Sequence, residues 1–147
     1  MKAFGWIILG VVVLIGGYFA YQQFSTQMSP DVQFGVYSGS LPCTGTCKEI
    51  KTTLTLYKNA NTSAPTIYRL EQEYIGKNVK PVVKKGVWAI QEGFPQHANA
   101  TVYALNSDQD KTRQLYAWAV SDSQLTLLNQ SKGRITQPLS YSLTRQQ

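Results

Sequence analysis

Residues 50–57 read Ile50-Lys51-Thr52-Thr53-Leu54-Thr55-Leu56-Tyr57. Ile50, Thr52, Leu54 and Leu56 fall on one side of an extended chain, and Lys51, Thr53, Thr55 and Tyr57 on the other. A period of two carried by β-branched and aromatic residues marks a strand with one face in a core. Similar short runs recur at Phe34 to Ser38, Thr66 to Ile75, Val82 to Ile90, Thr101 to Leu105, Gln114 to Val120, Leu125 to Leu128 and Tyr141 to Leu143. Turn chemistry separates them, at Asn59 to Pro65, Gly76-Lys77-Asn78, Gly93-Phe94-Pro95, Asn106-Ser107-Asp108, Ser131-Lys132-Gly133 and Gln137-Pro138. No segment after residue 34 carries a long 3.6-residue stripe. The fold class is therefore all-β, with about eight strands in a small antiparallel barrel or sandwich. A closed barrel would also leave no exposed edges, which matters for a polar, Thr-rich sheet.

Upstream of the strands the chemistry changes. Ala3 to Tyr21 (AFGWIILGVVVLIGGYFAY) carries no charge. As a helix rising 1.5 Å per residue it would span roughly 28 Å, close to a bilayer core. A cleavable signal peptide has a shorter apolar region and a small-x-small exit. Here the exit is Gly17-Tyr18-Phe19-Ala20-Tyr21, with bulky rings where small residues are expected, and no lipid-attachment box is present because the first cysteine is Cys43. The segment reads as an uncleaved signal anchor. Lys2 precedes it and no basic residue follows until Lys48. That asymmetry predicts a cytoplasmic amino terminus and a single-pass inner-membrane protein with its carboxy-terminal domain in the periplasm. Trp6, Tyr18, Phe19 and Tyr21 lie near the two ends of the span, where amphipathic rings favour the interface. Residues 1–21 are then the transmembrane helix, 22–33 a polar linker containing Pro30, and 34–147 the β domain.

Composition excludes several functions. One histidine rules out a His-rich metal site, and two cysteines rule out a disulfide-dense scaffold. The net charge of +6 tempts towards nucleic acid. The charges are scattered, however, and only Lys77, Lys80, Lys84 and Lys85 form a tight group. Those lysines read as a solvated loop and strand edge that discourages edge-to-edge pairing. A patch attracting anionic headgroups or an acidic partner is the functional counterpart. Tyr116 and Trp118 resemble a single-strand stacking platform, but an exported domain does not meet nucleic acid. Glu71 and Glu73 share one strand face beside Arg69 and Lys77, a solvated surface rather than a paired-carboxylate site. His97 sits in a turn-like stretch as an exposed loop histidine. Ser38 lacks a Gly-x-Ser-x-Gly context, so a hydrolase is unsupported.

The most informative segment is Tyr37 to Leu56, YSGSLPCTGTCKEIKTTLTL. It joins a strand end, a Cys-x-x-x-Cys loop and a Thr-rich strand. In these elements the chain resembles the N-terminal domain of the NlpE copper-resistance lipoproteins of bacterial envelopes. The residues that carry the resemblance are Tyr37, Gly39, Leu41, Pro42, Cys43 and Cys47, followed by Ile50, Thr52 or Thr53, Leu54 and Leu56. Further on, Glu73-Tyr74-Ile75-Gly76-Lys77 is similar to the family's Glu-x-Tyr-Leu-Gly-Lys segment, and Lys85-Gly86-Val87-Trp88 to its Gly-x-Trp strand. Two differences stand out. The family usually has two residues between its cysteines, and it is typically anchored by lipid on a terminal cysteine. The resemblance implies a lipocalin-like β-barrel, a link to copper tolerance, and envelope-stress sensing with a signalling partner in the envelope. It implies no catalytic activity.

Three chemistries compete for Cys43 and Cys47. In an oxidising compartment they form a disulfide, and a short loop containing Gly45 can bring the Cα atoms close enough. As thiolates they are soft ligands for Cu(I), with Met28 or His97 as further donors. As an exchanging pair they sense redox state, with Lys48 and Lys51 favouring the thiolate. A different class of function also fits a barrel: a carrier for a small apolar ligand or lipid, with Trp88 and Trp118 lining its cavity and the cysteines as a structural clip.

Overall fold

The computed structural model describes residues 30–43, 45–95, 97–107, 117–121, 123–129 and 141–147. The apolar span expected over 1–21 and the linker as far as residue 29 lie outside the described residues. No helix among the described residues is long and apolar enough to cross a membrane.

Eight strands follow one another: β1 (Asp31–Pro42), β2 (Glu49–Asn59), β3 (Pro65–Ile75), β4 (Val82–Phe94), β5 (His97–Leu105), β6 (Ala117–Ser121), β7 (Gln124–Leu127) and β8 (Ser142–Arg145). Each pairs antiparallel with the next, and β8 returns to β1, so the sheet closes on itself. Each expected run falls on a strand, apart from Gln114 to Tyr116, which lie outside the described residues, and the choice between barrel and sandwich resolves to a closed barrel. Among the turns within the described residues one differs from expectation; those expected at Ser131-Lys132-Gly133 and Gln137-Pro138, and Asp108 of a third, lie outside the described residues. Gly93 and Phe94 belong to β4, where the register shifts between Glu92 and Phe94 before Phe94 pairs with His97. A bulge of this kind takes up an extra residue without ending the ladder.

Alternation decides what faces the interior. In β2, Thr52, Leu54 and Leu56 are buried while Lys51 is exposed and Thr53 and Thr55 are half-buried. Their partners across the ladder are Gln72, Leu70 and Tyr68, which are buried on the same face. Leu105, Leu125 and Leu143 complete the packing from the other half of the barrel. Each such leucine contributes about 1.5–3 kcal/mol by leaving water. Two close approaches need glycine. A Cβ on Gly39 would lie 2.7 Å from the Ser142 carbonyl oxygen of β8, in the seam where the barrel closes. A Cβ on Gly86 would collide with the Tyr68 ring and with Asn106 Oδ1. The Tyr68 hydroxyl donates a 2.7 Å hydrogen bond to that same Oδ1, which ties β3 to the end of β5. Asn106 itself has φ of 52°, a left-handed conformation that asparagine tolerates.

Because the strands run up and down, successive turns lie at opposite ends. The proximal end carries Pro30 and the β2–β3 and β4–β5 turns. The distal end carries the β1–β2 hairpin with both cysteines, and the β3–β4 hairpin. Gly39→Ala is expected to lower the unfolding free energy by about 1–3 kcal/mol, because the seam must shift to admit a methyl group. Ser40→Ala, at an exposed neighbour, should stay within about 0.5 kcal/mol. Urea unfolding of the two variants measures the difference.

Candidate functional site

At the distal end β1 stops at Pro42, and the chain turns through Cys43 and Cys47 before β2 begins at Glu49. The two cysteines are half-buried, while Gly45 and Thr46 are exposed between them. A disulfide joins Cys43 to Cys47 with Cα atoms 5.8 Å apart, inside the usual range of about 4.4–6.8 Å. The loop is sewn to its neighbour by the Lys48 N–H, which donates to the Ile75 carbonyl oxygen at 2.8 Å. Leu41, buried one position before Pro42, roots the hairpin in the core. Of the three chemistries open to the pair, this is the disulfide.

The bridge bears directly on copper. Bridged sulfurs carry no thiolate charge, so in this state they do not offer a soft metal the ligand it selects. His97 begins β5 at the proximal end, exposed, its ring 4.7 Å from that of Phe94. It therefore lies at the other end of the barrel from the cysteines. Met28 lies outside the described residues. Among the described residues no three His, Cys, Asp or Glu side chains come together as a metal site. The oxidised hairpin thus does not fit Cu(I), and only the reduced pair has the right donors.

The proximal end holds a cluster that sequence patterning did not single out. Phe34, Trp88 and Tyr103 form a ring trio, with centroids 5.4 Å apart for Phe34–Trp88, 6.0 Å for Phe34–Tyr103 and 5.1 Å for Trp88–Tyr103. Trp88 Nε1 donates to the Tyr57 carbonyl oxygen at 2.7 Å. Two cations flank the Phe34 ring: Lys58 Nζ at 5.7 Å and the Arg145 guanidinium at 6.0 Å. Arg145 Nη2 also donates to the Phe34 carbonyl oxygen at 3.0 Å. Burial pushes the Tyr103 hydroxyl up to about 12, the neighbouring Tyr37 adds to the rise, and Arg145 opposes it. Periodicity places each of these residues on a strand. It gives no hint that strands first, fourth, fifth and eighth in the chain meet there.

The remaining candidates behave as follows. Trp88 is buried in the trio, and Trp118 is buried opposite Tyr103 and Leu127. Trp118 Nε1 has no hydrogen-bond partner among the described residues. Glu71 is ion-paired with Arg69, and Glu73 lies across the ladder from Lys51. Both acids face outwards, as expected of a solvated strand. A groove of about 350 Å³ runs beside them, lined by Lys51, Thr53, Glu71, Gln72, Glu73 and Pro81.

Fold and site together define a small up-and-down β-barrel with a disulfide-tied hairpin at one end. The family model of the NlpE N-terminal domain matches residues 37–137, from the buried Tyr37 of β1 through the hairpin and most of the barrel. The chain belongs to the NlpE N-terminal domain family. No curated protein and no solved structure matches it significantly.

Two outcomes follow from this geometry. The raised Tyr103 pKa means that the folded state holds its phenolic proton above the ordinary value of 10. Its contribution is fully present below pH 10 and is lost as pH rises towards 12. Stability should fall over that window by up to about 1.4 kcal/mol per pH unit, and Tyr103→Phe should flatten the fall in denaturation curves taken across it. The Cys43–Cys47 bond closes only a short loop, so on reduction the barrel should remain folded and lose about 2 kcal/mol at most, measured by urea unfolding with and without reductant.

Proposed function

We propose that this chain is a non-enzymatic envelope protein acting in copper tolerance or envelope-stress sensing. In this reading residues 1–21 hold it in the inner membrane, and the barrel stands on the periplasmic side. Membership of the NlpE N-terminal domain family supports the envelope role. The observation that carries the assignment to particular residues is the Cys43–Cys47 bridge, set on the hairpin at the end of the barrel away from Pro30 with an exposed Gly45-Thr46 tip. The bridge acts as a two-electron switch. A thiol reductant delivers two electrons, two protons are taken up, and the S–S bond gives two thiols. Lys48 and Lys51, close in sequence, favour the thiolate, and the reduced pair is then a soft donor set for Cu(I). A signalling partner would read the change of state at the tip.

Competition against a chromophoric Cu(I) chelator tests this on the full chain. The reduced protein should take up Cu(I), while the oxidised protein and the Cys43→Ser/Cys47→Ser variant should not. Equal uptake by the reduced protein and the double-serine variant would overturn the thiolate site.

A second reading, a carrier for a small ligand inside the barrel, has one observation in its favour. Trp118 Nε1 is a buried donor without a partner among the described residues, and a ligand acceptor could satisfy it. Saturable quenching of tryptophan emission by an apolar probe, lost in Trp118→Phe, is the expected result if that reading holds.

A further inference from the structure

We propose that the wall formed by β3 and β4, with the hairpin joining them, lies against the anionic headgroup surface of the bilayer that the same chain enters at its amino terminus. The proposal rests on the membrane anchoring put forward above and adds a second, reversible contact to it.

Exposed apolar side chains are not distributed evenly over the barrel. Val32, Ile67, Val79, Val82, Val83, Val87 and Ile90 are the large exposed ones among the described residues, and all but Val32 belong to this hairpin. Val79 and Ile90 each expose more than half of their surface, at 54% and 51%. Pairing arranges several of them side by side. Ile67 lies opposite Val87, Arg69 opposite Lys85 and Glu71 opposite Val83. These residues face outwards, because Tyr68, Leu70 and Trp88, which alternate with them, are buried inside. At the tip, Lys77, Val79, Lys80 and Pro81 are all exposed. Valines interleaved with lysines suit a headgroup layer, where the methyl groups enter the boundary and the ammonium groups reach phosphate.

Charge selects the occupant. From Pro65 to Phe94 the chain carries five basic residues, Arg69, Lys77, Lys80, Lys84 and Lys85, and three acidic ones, Glu71, Glu73 and Glu92. Lys84, opposite the buried Leu70, lies on the other face of the sheet, and Glu92 lies at the end of β4 away from the tip lysines. Glu71 is paired with Arg69, and Glu73 faces Lys51. The field of the wall is therefore positive. A two-fold contact with a second copy would bring like charges together, which is unfavourable. An anionic lipid surface complements it, at about 1 kcal/mol for each basic residue near the surface.

The length of the connection makes the contact reachable. Only residues 22–29 separate the apolar span from Pro30. Fully extended they cover about 30 Å. A strand the length of β3 or β4 is of the order of 36–43 Å long. The barrel therefore cannot move further from the bilayer than about its own length, and tilting onto the β3–β4 side brings the valines and lysines to the headgroups.

The test uses the full chain, one copy per lipid nanodisc, with discs of phosphatidylcholine alone or of phosphatidylcholine with phosphatidylglycerol. Lysine acetylation read by mass spectrometry should be about fivefold slower at Lys80 and Lys85 in the anionic discs, and should recover in high salt. Val83→Ser/Val87→Ser, which leaves every charge in place, should abolish most of the slowing. Equal reactivity in the two kinds of disc overturns the docking while leaving the anchor intact. A slowing that survives unchanged in the double-serine variant reports only the general field of the disc, and also overturns it. Protection that appears only with two chains per disc identifies a second copy as the occupant and overturns it too. A chain that does not enter the discs at all removes the anchor, and the docking with it.

Discussion

β1 and β8 meet over a short ladder, Tyr37 opposite Arg145 and Ser38 opposite Thr144, and without it both would be edge strands. The Gln146 N–H extends the seam by donating to the Val36 carbonyl oxygen at 2.8 Å. Gly39 lets the strands approach this closely, since a side chain would meet the Ser142 backbone. Once the seam is shut, the inward faces of all eight strands can share one core. Closure also brings Arg145, near the end of the chain, to Phe34 near the beginning of the barrel. The proximal aromatic cluster exists only because of that return.

The barrel keeps its two chemistries apart. The distal end carries a disulfide on a small hairpin with an exposed Gly45-Thr46 tip, tied to β3 through the Lys48–Ile75 hydrogen bond. The proximal end carries buried rings and phenols under two cations. Up-and-down topology puts the strands between them, so a change at the cysteines need not disturb the aromatic end. In the sensing role proposed for the hairpin this separation fits, because a bond broken and remade there would sit where its loss costs the core little.

Much of the fold was legible in the sequence. The eight runs with a period of two became eight strands, and the outward placing of Glu71 and Glu73 followed from the same alternation. The disulfide was one of three open readings, and two cysteines so close in sequence can meet without help from the rest of the fold. The glycine and proline at Gly93-Phe94-Pro95 misled, because a bulge and a turn draw on the same residues and only the ladder to β5 distinguishes them. The Tyr68–Asn106 bond and the Phe34–Trp88–Tyr103 trio were not legible. Their members are separated widely along the chain, and no local pattern encodes which strands become neighbours.

Taken alone, then, the sequence determined what is local: strand periodicity, the turns that fall within the described residues to within a residue or two, the cysteine hairpin, and the contrast between an apolar amino-terminal segment and a Thr-rich domain. Those features depend on neighbouring residues and on the geometry of an extended chain. The tertiary structure decided barrel over sandwich, the company of Tyr103, and the gathering of exposed valines and lysines onto one wall. Each of these depends on closure and register. A shift of one residue in register would exchange the inside of a strand for its outside while leaving the sequence pattern unchanged.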